Sequence, residues 1–301
     1  MVQGTRAKVL EQPKELDMRD LFTAAPKDLR EATLREYDSY LIERDGDMNL
    51  EERTLSKREA TIKKHETPPA VTREMNEAEF RKHYAAFDKR KPLPPEMLLL
   101  LALVKVNSAE AYGVARNFER TKSRAIKAKN DSELRILCEE GYHTRILLSS
   151  ANRYGIEVNQ PYRPPSALRI MIGGIATAPM AIARPLTLAG EIIATLMFTK
   201  LLEVVPRVLK HVPELRDSIE ERIVEICTDE HGHISYNRMH AGAADLAELR
   251  LILPLTARIM STVFQEMVAL GAYPVDVMQG LPLLANPKLI PELVRREAFL
   301  A

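Results

Sequence analysis

Two short stretches carry residues whose types and spacing could do chemistry: Glu139-Glu140-Gly141-Tyr142-His143 and Asp229-Glu230-His231-Gly232-His233. Each contains Glu-x-x-His. Residues three apart share a face of an α-helix, so each pair can aim a carboxylate and an imidazole at one point. One such pair arises readily by chance in charged helices. Two of them, each with an acid just before the Glu and each in a strongly helical stretch, point to a shared centre. Carboxylate oxygens combined with imidazole nitrogens suit divalent iron or manganese.

The neighbouring helices supply two further acids. Glu110 lies on a stripe with Leu99, Leu103, Val106 and Val114, and Glu191 lies among Leu188, Ala194, Thr195 and Phe198. Burying a carboxylate on such a face is costly unless a cation offsets it. Glu119, between Arg116 and Lys122, and Glu203, between Lys200 and Arg207, read instead as surface. If the chain turns near Lys210 to Pro213, Glu191 and Glu230 stand at similar distances from that turn on antiparallel helices. The expected ligand set is then Glu110, Glu140 and His143 from one helix pair, and Glu191, Glu230 and His233 from the other. Glu140 and Glu230 would bridge, with Glu110 and Glu191 terminal. This is the inventory of helical bundles that hold two iron or manganese ions. Without cations, four such glutamates would repel one another in a low-dielectric core.

Ligand imidazoles usually donate their other N–H to a carboxylate, a carbonyl or water. Asp229 is expected to accept from His143 across the bundle, and Glu139 from His233. Tyr142, Ile226, Tyr236 and His240 are candidates for a pocket around the centre. His231 lies off the ligand face and is expected to be solvated; His65, His83 and His211 read as surface. Cys138 and Cys227, the only two cysteines, read as small buried helix residues in a reducing compartment.

The elements that must hold these residues are helical. Leu/Ala/Ile/Met-rich stretches dominate, aromatics make up 5% and Trp is absent, so the fold class is all-α. With 43 basic and 42 acidic residues, net charge +1, the chain lacks the basic excess of a nucleic-acid binder. Residues 1–75 are polar and charge-mixed and form an N-terminal extension, partly helical or disordered, to which no chemistry is assigned. The charge run from Glu51 to Lys64 reads as a solvated helix face. Residues 76–301 form the main helical domain. Helices are expected from Glu96 to about Phe118, after Pro92-Leu93-Pro94-Pro95, and from an Asn130-Asp131-Ser132 cap to near Tyr154-Gly155. Others run from Pro185 to about Val205, Pro213 to Met239, Asp245 to Leu270 and Pro287 to Phe299. Gln160 to Pro165 is a proline-rich turn. The first turns of the Pro213 helix, through Arg222, read as solvent-facing. The apolar run Ile170 to Ala183 is expected to be a buried, broken helix, because it falls short of the roughly 20 residues a membrane span needs. With Ile192 to Met197 it would line a dry pocket. No membrane partner is expected. The amino-terminal residues lack a secretory pattern, so the expected location is cytoplasmic.

The motifs Glu139-Glu140-x-x-His143 and Asp229-Glu230-x-x-His233, preceded by Glu110 and Glu191, resemble the ferritin-like diiron oxygenases. Chain length, the polar extension and the helix order look most like the p-aminobenzoate N-oxygenase branch, over about residues 90–275. The resemblance implies a ferritin-like bundle with additional helices and two iron ions, with manganese admitted at one position. It implies O2 activation with electrons from an external donor, and oxidation of a small organic substrate, an amine by N-oxygenation. That branch carries one more histidine a turn before the second motif; here Ile226 stands there, which counts against N-oxygenation. The alternative is a ferritin-like iron-binding ferroxidase, or a diiron oxidase without N-oxygenation. The apolar helices would suit a homodimer.

Overall fold

The computed structural model describes residues 21–66, 75–156 and 163–285. The expected helix Pro287 to Phe299, the first part of the Gln160 to Pro165 turn and the first 20 residues of the extension lie outside them. The described chain is all-α apart from a two-residue antiparallel ladder. In order, the elements are α1 (Lys27–Asp45), β1 (Met48–Asn49), β2 (Thr54–Leu55), α2 (Ser56–Glu66), α3 (Glu77–Ala85), α4 (Pro95–Ala128), α5 (Asp131–Asn152), α6 (Ser166–Thr177), α7 (Met180–Val208), α8 (Pro213–His240), α9 (Ala243–Val263), α10 (Gln265–Leu270) and α11 (Val277–Gly280). A 3-10 turn, Leu281–Ala285, follows.

Four long helices make the core bundle. α4 and α5 are joined by Lys129, in left-handed conformation, and Asn130, whose side chain accepts a hydrogen bond from Glu133 N. So short a link forces antiparallel neighbours. α7 and α8 pair in the same way through residues 209–212, and the two pairs meet where α5 packs on α8 and α4 on α7. From Met97 to Ser108 every residue of α4 is buried; Met97 to Val104 is apolar all round, and the buried Lys105 is paired with Glu266 of α10. This helix is long and apolar enough by composition to cross a membrane, but 67% of its most apolar window is buried inside the protein.

Several local expectations are corrected. α4 continues ten residues beyond Phe118, because its second half is amphipathic rather than loop-like. The Ile170 to Ala183 run is broken, at Ala178–Pro179, but it is not a buried helix: Ile170 is 76% exposed and Ile182 47%. It therefore does not line a dry pocket with Ile192 to Met197, a stretch that lies in the core. α7 begins before Pro185, which fits inside its early turns. Arg222 is buried; it donates to the Ser218 carbonyl and to Ser149 Oγ. The stretch after Asp245 is two helices, parted at Phe264.

The largest correction concerns residues 27–66. α1 packs on α5 and α8, and α2 on α5. Tyr37 and Leu41 of α1 form a small cluster with Tyr236 of α8. The Glu51 to Lys64 run is not simply solvated: Arg58 is only 4% exposed, and Glu59 pairs with Arg145 at 2.6 Å.

Candidate metal centre

All six expected ligand residues come together between the four long helices. Ligand atoms of Glu140, Glu191, Glu230 and His233 lie within 4.8 Å of one another, and so do those of Glu110, His143 and Glu230. Glu230 belongs to both groups. Each group could hold a metal ion. The two imidazole rings face each other with centroids 5.8 Å apart.

Hydrogen bonding decides which nitrogen faces the centre. His143 Nε2 is 3.1 Å from Asp229 Oδ2, and His233 Nε2 is 3.0 Å from Glu139 Oε2, the two cross-bundle pairings expected from the sequence. Each ring therefore donates its Nε2–H outward and keeps Nδ1 for the interior. His143 Nδ1 lies 3.3 Å from Glu230 Oε1, and His233 Nδ1 lies 3.0 Å from Glu140 Oε1, yet neither nitrogen is in a hydrogen bond. Both oxygens of Glu110 and Oε2 of Glu230 are likewise buried without a hydrogen-bond partner. Buried polar atoms are rarely left so. Five of them converging from three helices is what a cation-binding cradle presents, and carboxylate oxygens with two nitrogens fit iron or manganese.

The electrostatics agree. Burial pushes the Glu110 and Glu191 carboxyls well above the usual range, and the other site carboxylates add to it. His143 and His233 rise despite burial, because Asp229 and Glu230, and Glu139 and Glu140, favour the imidazolium. Glu230 is held low despite burial by His143 and His233.

The residues that sequence reasoning missed brace Asp229. Its carboxylate is buried, yet Arg44 and Arg58 hold its pKa far below the ordinary value. Arg44 Nη2 is 2.6 Å from Oδ1 and Arg58 Nη2 is 2.5 Å from Oδ2. Both arginines also reach Glu225, one turn earlier on α8, at 3.4 and 2.5 Å. A signal for them exists: Arg58 stands three residues after Leu55 and four before Ile62 in the sequence, and Arg44 shares a helical stripe with Tyr37 and Leu41. That is the pattern of a charge on an apolar face that marked Glu110. Tyr37 itself presses on α8, where a Cβ at Gly232 would lie 2.8 Å from its hydroxyl, so glycine there permits the close approach of α1.

The remaining candidates fall outside the cradle. Tyr142 accepts from Leu55 N at 3.0 Å and donates to Glu59 at 2.8 Å, fastening α5 to the start of α2. Tyr236 takes a hydrogen bond from Asn130 at 2.6 Å, and its ring lies 4.5 Å from that of His240, which is exposed. Ile226 is fully buried, apolar and adds no ligand. His231 is not solvated: it is fully buried, with Nδ1 2.7 Å from the Cys227 carbonyl one turn back. Cys138 and Cys227 are buried free thiols. Glu119 is exposed, and among the histidines expected at the surface His211 is exposed and His83 partly so; the side chain of His65 lies outside the described set. No family model, curated protein or solved structure matches this chain.

Proposed function

We propose that the protein is a ferritin-like dimetal oxygenase that binds two iron ions, manganese being admitted at one position, and uses O2 to oxidise a small organic substrate. An amine is the substrate class that the sequence resemblance favours, although N-oxygenation lacks support from Ile226. The observation that carries the reading is the convergence of four glutamates and two histidines with both Nδ1 atoms and the Glu110 oxygens left without hydrogen bonds. Glu230, common to both ligand groups, would be shared between the ions; Glu140, 3.0 Å from one Nδ1 and 3.7 Å from the other, is the second candidate for sharing. Glu110 and Glu191 would each serve one ion. When bound, the ferrous pair supplies electrons to O2, and an external donor restores them. Asp229 and Glu139 hold the Nε2 protons away from the centre, and the apolar core around Ile192, Ile193 and Leu196 limits water.

A ferroxidase without an organic substrate is the second reading. The cleft of about 880 Å³ bounded by Met75, Leu98, Val208 and Leu270 is lined by none of the six ligand residues, so it is not the substrate pocket of the first reading.

Metal analysis of protein purified without chelator tests the site, with about two iron ions expected per chain. Glu110→Ala should lower that to about one, whereas Glu230→Ala, which removes the shared carboxylate, should lose both. Full metal content in Glu230→Ala would reject the centre. O2 consumption after anaerobic Fe(II) loading separates the two readings. Acceleration by an added amine supports the oxygenase, and amine-independent formation of ferric mineral supports the ferroxidase.

A further inference from the structure

The two halves of the centre are built alike in their ligands but not in what stands behind them. Asp229 has a guanidinium at each oxygen: Arg58 donates to Oδ2, whereas Arg44 lies 2.6 Å from Oδ1 as an ion pair without a hydrogen bond, and the Oδ2 that accepts from His143 is the one Arg58 also occupies. Glu139, which receives the His233 proton, has His233 as its ion-pair partner among the described residues. Arg44 and Arg58 act on Glu139 only at longer range. A carboxylate that draws harder on the outer N–H makes the imidazole a better donor through its other nitrogen. Glu139 is free to draw; Asp229 shares its oxygen with a guanidinium. The ligand groups differ in the same direction, four residues converging around His233 and three around His143.

Resting on the dimetal reading above, we propose that the two cation positions fill in order, the His233 position first. The affinity of the His143 position is then set by Arg44 and Arg58, positioning residues contributed by α1 and α2. These arginines act through Asp229. The hydrogen bond from Arg58 and the ion pair with Arg44, one at each oxygen, hold the plane of its carboxylate, and that plane orients the ring that presents Nδ1. Loosening the grip ends the competition for Oδ2 but lets the carboxylate turn. The loss of orientation is the effect proposed to dominate, bounded by the about 10- to 100-fold in affinity that altering the direct partner of a ligand histidine costs. Residues 27–66 thereby become part of the metal centre without supplying a ligand.

Anaerobic titration of the metal-free full-length protein with Co(II), followed by visible absorption and calorimetry, reads both positions. Two resolved steps are expected. Arg58→Met should weaken the second step about 10- to 100-fold and leave the first unchanged. Arg58→Lys, which keeps the charge but cannot span Glu225 and Asp229 together, should fall between. Glu139→Gln should weaken the first step. Far-ultraviolet circular dichroism identifies variants that remain folded. If Arg58→Met does not, Arg58→Lys and Arg44→Lys carry the comparison, each weakening the second step alone. Two equal steps in the unaltered protein, or losses spread evenly over both steps in the lysine variants, would overturn the inference while leaving the dimetal reading standing. Failure of the unaltered protein to bind any Co(II) would remove both.

Discussion

At the scale of single residues, the geometry turns on where each buried charge finds its partner. Asp229 finds two guanidiniums; Asp45, at the end of α1, finds none close. It is fully buried, neither oxygen is hydrogen-bonded, and Arg135 stands 3.8 Å away. Burial, then the charges of Glu139 and Asp229, push its pKa from 3.8 up to about 8. Unfolded, this aspartate releases its proton near its ordinary value; folded, it holds the proton until about pH 8. Between those limits the unfolded chain binds fewer protons, so Asp45 makes stability fall as pH rises through the window. Asp45→Asn removes that slope. The variant should exceed the unaltered protein in stability at pH 9 by on the order of 1–3 kcal/mol, the cost of an unsatisfied buried group, and by less at pH 5. Urea midpoints at the two pH values measure it, and a gap that does not widen with pH rejects it. The pairings of Asp229 and Glu139 were legible in the sequence because each precedes a motif Glu, a fixed step around the helix. The arginines behind Asp229 were less so: their apolar spacing is present, but α1 and α2 are charge-rich throughout, which dilutes it.

At the scale of elements, the question is how α2 comes to deliver Arg58 to α8. The chain leaves α1 at Gly46, with φ 74°, and returns through the β1–β2 turn to Ser56. Ser56 N donates to the Asp47 carbonyl at 2.8 Å, and Asp47 N to Ser56 Oγ at 2.9 Å. Arg135 of α5 donates to the Gly46 carbonyl at 2.7 Å. A Cβ at Gly46 would collide with Ser56 Oγ and press on Lys57. Gly46→Ala therefore faces both an unfavourable φ and a clash at the first residue of α2. It should cost roughly 1–3 kcal/mol and shift Arg58 away from Asp229. A thermal melt gives the first effect and the Co(II) second step gives the other; an unaltered melt would show that this turn does not anchor α2. The long helices were readable from apolar spacing and caps, with Asn130 the clearest start. Their ends were not: past Phe118 the amphipathic half of α4 is mostly charged, and Ala125 is its one buried residue, so the apolar signal there is thin. The exposure of Ile170 depends on what lies outside α6 rather than on anything within it.

At the scale of the molecule, the centre ties folding to metal and to pH. Metal-free, the core bundle shifts Glu110 and Glu191 toward the protonated form, since burial raises both above the roughly 4.3 of an unfolded glutamate. His143 and His233, also raised, hold protons above the ordinary imidazole range. In each case the folded metal-free chain binds more protons than the unfolded chain, so its stability declines as pH rises through the raised values. Cations displace these protons, because ligand carboxylates and imidazoles must give them up to bind. The loaded protein is thus spared the decline. Ion present at about 100 times its dissociation constant adds about 2.7 kcal/mol to folding, which in a chain of this size is a rise of several degrees in Tm. The difference in Tm between Mn(II)-loaded and chelator-treated protein should therefore widen from pH 5.5 to pH 8, accompanied by proton release on loading in weakly buffered solution. A difference that stays constant or narrows would mean that the buried acids are not where the ions bind, and that the four long helices are held together by their apolar faces alone.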